Sequence, residues 1–462
     1  MTALAGRSAT PAGARSLSTT DAPALDLPAR FMLVAMLSML VVTLTAPIAL
    51  PLLLGSAADP HLLAFIHLNT VGVVAMMAVG ASYQLVPVAL QTPLASPTAG
   101  RVSFWLLLAG VGLFVPGIFT LWLPAVAVGA TLLLVGFGIH VAVVGLTVRR
   151  APHHDVVAWH MAASLASLGA GVVLGVVLAF NMASGMLGGL TYRLVAAHAT
   201  LMLGGWIAVL LAGVAYRLVG MFTLADDRLW RPLAWTALAT STLGAWLVAL
   251  GFALDLAAPL RLAGAAGILA GQAAFAGQLL HLYRARRRRG FEVSLPFVLL
   301  AATMGTGAAA LLLGGLAVGA GPGSRLWVAV VWLALAGLAE TAIQGFFYKI
   351  ATFLVWLHRY APLAGRQRVP RLESMYRRRL ALAGWIGWLS GLLLSLVALV
   401  AGDPLLARAA GVTLSVGLAC FLANVVGIAC HWLPARSPRP GLNQLLAASG
   451  RDAGTAERRE VR

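Results

Sequence analysis

Long runs of apolar residues, separated by short polar stretches, extend from about residue 30 to residue 433. A transmembrane helix needs about 20 predominantly apolar residues. Twelve stretches meet that requirement, and we number them α1 to α12: residues 30–54, 62–89, 102–122, 124–147, 157–183, 192–223, 232–254, 258–282, 293–318, 325–356, 379–401 and 405–433. The pattern therefore predicts an all-α polytopic membrane protein with twelve transmembrane helices.

A frame of two glycines and a tyrosine recurs in α2, α6 and α10. The second glycine follows the first by eight residues, and the tyrosine follows three residues later. The three frames are Gly72, Gly80 and Tyr83; Gly205, Gly213 and Tyr216; and Gly337, Gly345 and Tyr348. Asp26, Asp155 and Glu292 stand 56 to 61 residues before the tyrosines. This joint recurrence predicts three pseudo-repeats of four helices each.

Each member of the frame also has an ordinary structural explanation. Glycine lets membrane helices pack closely. A tyrosine ring near a helix end anchors well at the membrane interface. The frame alone therefore predicts packing and anchoring, with no cofactor required.

The charge distribution predicts the orientation of the chain. Hydrophobic residues make up 60% of the sequence and charged residues 10%, with a mean hydropathy of +0.91, as expected in a bilayer. The sequence has 32 basic residues and a net charge of +18. On one side of the membrane, the predicted topology places only four of them: Arg193, Arg261, Arg325 and Arg408. The other 28 lie on the opposite side. The positive-inside rule therefore predicts a protein of the inner (cytoplasmic) membrane with both termini in the cytoplasm. This topology accounts for the basic residues, which do not indicate nucleic-acid binding.

The two ends of the chain differ in composition from the apolar region. Residues 1–29 are rich in Ala, Ser, Thr and Pro, and residues 434–462 are polar and basic. We predict disordered cytoplasmic tails on both sides of one membrane domain, residues 30–433.

Three stretches resemble subunit I of the haem–copper oxidases and nitric oxide reductases, and their divergent bacterial relatives known as cytochrome oxidase subunit I-like. They are HLNTVGVVAMMAVGASYQLVPV (67–88), HATLMLGGWIAVLLAGVAYRLVGMF (198–222) and GFFYKIATFLVWLHRYAP (345–362). The likeness covers about residues 26–433. It implies a haem cofactor and a role in respiration, electron transport or nitric oxide metabolism. It also implies a small gaseous ligand and partners such as other respiratory-complex subunits or a c-type cytochrome.

The resemblance implies ligand roles for two histidines. In that family, a histidine of the second helix ligates a low-spin haem, and His67 matches it by position. A histidine of the sixth helix and two later ones hold copper, and His198 matches the first of these. Imidazole suits both haem iron and copper, so either residue is a candidate ligand for haem or for a metal ion.

The tenth helix departs from the family pattern. Counted back from Tyr348, the positions equivalent to His67 and His198 hold Trp332 and Val330, and neither α7 nor α10 contains a histidine. The resemblance therefore implies a haem-binding protein without a complete haem–copper catalytic centre, which leaves enzymatic activity open.

Two other function classes remain open at this stage. Internal repeats around a central site are typical of transporters and permeases. Transporters usually show twofold repetition and helices broken by Gly or Pro, whereas the prolines here fall mostly near helix ends. A non-catalytic structural partner of a larger redox complex is the second alternative.

Glu340 is the one acidic residue within the apolar part of α10. It lies eight residues, or about 12 Å, from Tyr348, and Gln344 stands midway between them. Residues spaced by four share one helix face. Either Glu340 is hydrogen-bonded to a neighbouring helix, or Glu340, Gln344 and Tyr348 form a proton path from the cytoplasmic end.

Overall fold

The computed structural model describes residues 24–287 and 292–432 of the chain. Within these ranges, it contains twelve helices long and apolar enough to cross a membrane, as the sequence predicts. In order, α1 to α12 are Asp26–Leu54, Pro60–Leu90, Pro97–Thr120, Leu123–Arg150, Val156–Ser184, Gly188–Thr223, Arg231–Ala253, Ala258–Arg284, Ser294–Ala317, Arg325–Arg359, Arg378–Ala401 and Pro404–Cys430.

The first helix begins earlier than the sequence predicts. Asp26 lies in the first turn of α1, where the positive end of the helix dipole favours a carboxylate. Its side chain also pairs with Arg30 at 3.6 Å and with Arg101 of α3 at 3.4 Å. Residues 26–29 of the predicted tail therefore belong to α1. The rest of the predicted tails, residues 1–23 and 434–462, lies outside the described residues.

Helices α2, α6 and α10 form the centre of the molecule. Buried residues make up 61, 61 and 78% of their most apolar windows, against 33 to 50% in the other nine of the described helices. Each of the three contains a π-helical segment in mid-membrane: Leu68–Ala75, Thr200–Ile207 and Leu333–Glu340. The segments of α2 and α6 both contact that of α10. π-Helical turns are rare and occur frequently at functional sites.

The second glycine of each frame lies against the Cβ atom of one residue in the preceding helix. The three pairs are Gly80 with Phe31, Gly213 with His160 and Gly345 with Phe297. The tyrosine rings lie on the same partners, with ring centroids 5.6, 5.3 and 6.0 Å apart. Each frame therefore fixes its helix to the helix before it through the same two contacts.

Substitution of these glycines should destabilise the protein equally at all three places. A Cβ atom at Gly80, Gly213 or Gly345 would lie 2.6 Å from the Cβ of its partner. Overpacking of this kind costs about 1–3 kcal/mol, so each Gly→Ala variant should unfold at a lower temperature than the parent. Gly138→Ala in α4 is the matched control, because nothing lies within 4 Å of a Cβ atom added there. If the three variants were as stable as Gly138→Ala, the close packing of the frames would be wrong.

The orientation of the chain is testable by labelling from each side. We expect Ala58→Cys, beside the Asp59 cap of α2, to react with a membrane-impermeant maleimide in intact cells. Ala364→Cys, in the loop after α10, should react only once the cells are opened. The native Cys420 and Cys430 are free and are first replaced by Ser. Labelling of Ala58→Cys only from the cytoplasmic side would overturn the predicted topology.

Candidate functional site

His67 lies near one end of α2, and one of its ring nitrogens is hydrogen-bonded to the backbone. It lies seven residues after the start of α2 at Pro60, which is about 10 Å along the helix. Its Nδ1 lies 2.7 Å from the carbonyl oxygen of Leu63. Because a carbonyl only accepts hydrogen bonds, Nδ1 carries the proton and donates it, and the lone pair is on Nε2. The ring edge packs against Phe114 of α3 at 5.3 Å.

His198 has the same hydrogen-bonding arrangement on α6. It lies seven residues after Thr191, where the α-helical part of α6 begins, and so at a similar depth to His67. Its Nδ1 donates to the carbonyl oxygen of Gly171 in α5 at 2.8 Å. A Cβ atom at Gly175 would lie 2.9 Å from Cε1 of this ring. Glycine at position 175 therefore makes room for the imidazole between α5 and α6.

His67 and His198 lie within electrostatic range of each other, with no described contact between the two rings. Both are partly buried, and among the described residues nothing hydrogen-bonds Nε2 of either ring. An imidazole whose Nδ1–H is held by a backbone carbonyl, with Nε2 free, is the usual arrangement of a histidine that binds a metal. The two residues singled out in the sequence thus have the donor chemistry of ligands.

Helix α10 supplies no ligand at the matching depth, because Trp332 fills that place. The indole of Trp332 is 2% exposed and stacks on Phe65 of α2, with centroids 6.3 Å apart. Its N–H donates to Ser395 of α11 at 2.9 Å. The space between α2 and α10 is therefore taken by protein. A haem held between these two helices does not fit.

A copper site of the family type does not fit either. Val330, which corresponds in α10 to His198, lines a cavity of about 550 Å³ between α6, α8, α9 and α10. Thr200 and Gln272 are its polar lining residues, and no histidine lines it. The described residues also contain no group of three or more His, Cys, Asp or Glu side chains that could hold a metal ion. Gln272 was missed by the sequence analysis, since a lone glutamine gives no signal there.

The other membrane histidines lie apart from this pair. His140 of α4 packs against Tyr83 at 5.1 Å, and His160 of α5 packs against Tyr216 at 5.3 Å. His160 donates through Nδ1 to the carbonyl of Val156. Their neighbours are the tyrosines of the repeated frame, at the opposite ends of α2 and α6 from His67 and His198.

Glu340 and Gln344 lie in the buried centre of α10. Glu340 is 1% exposed and Gln344 is fully buried. Oε1 of Glu340 and both polar atoms of the Gln344 amide have no hydrogen-bond partner in the described part of the chain. A buried polar group without a partner is costly and calls for an explanation. Through Oε1, Glu340 makes no described hydrogen bond to a neighbouring helix.

Tyr348, the third residue of the predicted proton path, turns toward α12 and the loop before α11. Its hydroxyl accepts a hydrogen bond from Nδ2 of Asn424 at 3.2 Å, and its ring lies 5.0 Å from that of Tyr376. Burial raises the pKa of Tyr376, which lies outside the membrane spans, to about 12, so its hydroxyl stays protonated at physiological pH. Tyr348 therefore belongs to a hydrogen-bonded group at the end of α10, and no described contact joins it to Glu340.

The residues present therefore fit some cofactors and not others. The free Nε2 of His67 and of His198 is the kind of donor that binds haem iron or a metal ion. The residues present do not fit a haem bridging α2 and α10, or a copper ion with three histidines. In comparisons with known proteins, no family model and no curated protein matches the chain.

Proposed function

We propose that this chain is a haem-binding integral membrane protein similar in design to subunit I of the haem–copper oxidases, without their complete catalytic centre. The observation that carries the proposal is the pair His67 and His198. Each lies seven residues after the α-helical start of its helix, each Nδ1 proton is held by a backbone carbonyl, and the two rings are within electrostatic range of each other. Two such imidazoles in the apolar interior of a membrane protein are functional candidates by default.

In this proposal, Nε2 of His67 would hold the haem iron, and His198 would either supply a second imidazole or stand beside the bound group. A haem held by one imidazole would bind a small ligand such as nitric oxide, which suits a binding or protective role in nitrogen-oxide metabolism. The carbonyls of Leu63 and Gly171 orient the two rings, while the apolar lining, with Phe114 beside His67, excludes water.

The matched contacts of the three frames support the proposed architecture of three four-helix units. Two of the acidic residues that precede the frames add to this support, because each pairs with the basic residue that follows a frame tyrosine. Arg217 pairs with Asp155 at 3.3 Å, and Lys349 pairs with Glu292 at 2.9 Å. In the first unit, Gln84 takes the place of the basic residue, and Asp26 pairs with Arg101 instead.

We place the protein in the cytoplasmic membrane with both termini inside, on the distribution of basic residues. Respiratory-complex subunits or a c-type cytochrome are the partners that this proposal would require for electron supply. Binding of nitric oxide tests the functional part of the proposal. Anaerobic addition of nitric oxide to the reduced, purified protein should shift its Soret absorbance band. A Soret band that does not respond would contradict a gas-binding role.

A transporter is the second candidate, and one observation favours it. A cavity lies between α2, α6 and α10 at the ends that carry the frame tyrosines. The continuity of the helices favours the haem protein, because α2, α6 and α10 cross the membrane with π-helical turns and no break. A purified protein without haem that moved a solute into vesicles would establish the transporter instead.

A further inference from the structure

A strongly basic segment joins α10 to α11 on the predicted cytoplasmic side of the molecule. We define it as residues 366–379, which contain six arginines and one acidic residue, Glu373, and so carry a net charge of +5. The basic segment follows the end of α10 at Arg359 and includes the first two residues of α11. All six arginines are exposed: Arg366, Arg368, Arg371, Arg377, Arg378 and Arg379.

Most of this charge is not balanced by the protein. In the part of the chain that the structure describes, five of the six arginines make no ion pair: Arg366, Arg368, Arg371, Arg377 and Arg379. Other cytoplasmic arginines do have acidic partners, as Arg217 has in Asp155 and Arg287 has in Asp227. The basic segment therefore presents its positive charge outward.

Contacts at several points hold the basic segment against the ends of α10 and α12. Trp356 donates through Nε1 to the carbonyl of Pro370 at 2.9 Å. The side chain of Asn424 in α12 accepts from the N–H of Arg377 at 2.9 Å and donates to its carbonyl at 3.2 Å. Between these points, Met375 is 2% exposed. Like charges repel, and this anchored backbone limits how far the arginines can separate.

The start of α11 adds to the positive charge. Arg377 is the N-cap residue and gives the first turn no side-chain hydrogen bond, and Arg378 and Arg379 lie within that turn. A helix N-terminus carries a partial positive charge that favours anions and disfavours cations. Three other helices have an acidic N-cap that bonds to their first turn: Asp59, Asp155 and Asp403. Arginines in the same place are unfavourable unless an anion neutralises them.

The position of the segment selects the anion. Guanidinium groups bind phosphate through paired, charge-assisted hydrogen bonds. Because α11 is a membrane-spanning helix, its basic first turn lies at the level of the lipid head groups, where the nearest phosphates are those of phospholipids. Phosphatidylcholine carries its own cation beside the phosphate, so an anionic phospholipid suits a surface of this charge better.

We propose that the basic segment is a binding surface for anionic phospholipids, with the head-group phosphate held by Arg366, Arg368, Arg371 and the arginines at the start of α11. The surface is local. Arg149 and Arg150 at the end of α4 are also exposed, but they are only two and are soon followed by Asp155. The surface is separate from His67 and His198 and does not depend on the proposed haem.

Photolabelling in nanodiscs tests where the lipid binds. The full-length protein is placed in phosphatidylcholine nanodiscs that contain a small fraction of a phosphatidylglycerol or a phosphatidylcholine probe. Both probes carry the same diazirine near the head-group end of one acyl chain, and labelled chymotryptic peptides are identified by mass spectrometry. We expect the phosphatidylglycerol probe to label the end of α10 and the start of α11 at least several-fold more than the phosphatidylcholine probe. Added salt should reduce this preference, because it screens exposed charges.

A triple variant and a matched control separate this surface from the overall charge of the protein. Arg366→Gln, Arg368→Gln and Arg371→Gln together should lower phosphatidylglycerol labelling toward the phosphatidylcholine level, since each basic residue near the surface contributes about fivefold to the affinity. The control, Arg149→Gln with Arg150→Gln, removes two exposed arginines on the same side and should leave this labelling unchanged. Thermal unfolding checks that each variant folds. If the triple variant does not, Arg368→Gln alone replaces it and should lower the preference several-fold.

Three results would overturn the proposal. Equal labelling by the two probes would show that the anionic head group is not recognised. An equal loss of labelling in the control would show that only the overall charge matters. If millimolar inorganic phosphate abolished the preference for phosphatidylglycerol, the arginines would be assigned to a soluble phosphate ligand instead of a lipid.

Discussion

Substitution of His67 by Ala should abolish or shift the Soret band of the purified protein. The imidazole is the proposed ligand of the haem iron, and the methyl group of Ala offers no lone pair. Removing even a residue that only supports a ligand typically lowers metal affinity 10–100-fold, so loss of the ligand itself should have at least that effect. The measurement is the absorbance spectrum per unit of protein. Added imidazole should restore part of the band in this variant.

His358→Ala is the matched control for this experiment. His358 lies in the last turn of α10, beyond the predicted end of that helix at residue 356. Its Nδ1 bonds to the carbonyl of Leu354 in the same way as His67 bonds to that of Leu63. The substitution therefore removes an equivalent hydrogen bond without touching the proposed ligands. An unchanged Soret band in His67→Ala, with His358→Ala also unchanged, would exclude His67 as the ligand.

Replacement of Glu340 by Gln should remove the proton uptake that accompanies chemical reduction of the protein. The amide keeps the size of the carboxylic acid but cannot take up a proton and release it again. Oε1 of Glu340 is buried without a partner, so the change removes no described hydrogen bond and should leave folding and haem content intact. The uptake is measured with a pH-sensitive dye in weakly buffered proteoliposomes.

Gln344→Leu tests the same path one helical turn further along α10. Both polar atoms of the Gln344 amide lack partners, so this variant should slow the uptake without lowering the unfolding temperature. A substitution at Tyr348 would be a poorer test, because it also breaks the contact with Asn424. If Glu340→Gln behaved like the parent protein in uptake and in activity, Glu340 would be structural and the path would be wrong.

The membrane architecture could be predicted from the sequence because it depends on local properties. An apolar run of sufficient length spans a bilayer whatever its neighbours are. The twelve helices therefore occur where the runs predict them, although α1 begins at Asp26, within the predicted tail. Asp26 pairs there with Arg101, which is 75 residues away in the sequence.

The candidate site could be predicted only in part. The depths of His67 and His198 follow from counting along two helices, and the structure places both near the same end. Their orientation depends on the carbonyl of Gly171 in α5 and on the space at Gly175, which only the folded chain brings together. The sequence also could not predict that Trp332 fills the space between α2 and α10. It shows that a histidine is missing from α10, but not which residues the indole contacts.

The π-helical segments and the central cavity have no sequence signature. Each segment surrounds the first glycine of a frame, but glycine alone does not distinguish a π-helical turn from an α-helical one. Gln84 and Arg217 appear in the sequence as the polar residues that follow two tyrosines. They line one cavity only when α2, α6 and α10 are packed together.

The central claim is that the protein binds haem, and the reduced-minus-oxidised absorbance spectrum of the purified protein tests it most directly. The protein is to be produced in cells with an adequate haem supply and measured before and after reduction with dithionite. The account predicts a Soret difference band that is present in the parent protein and in His358→Ala, and is lost or shifted in His67→Ala. A featureless difference spectrum from well-folded parent protein would contradict it.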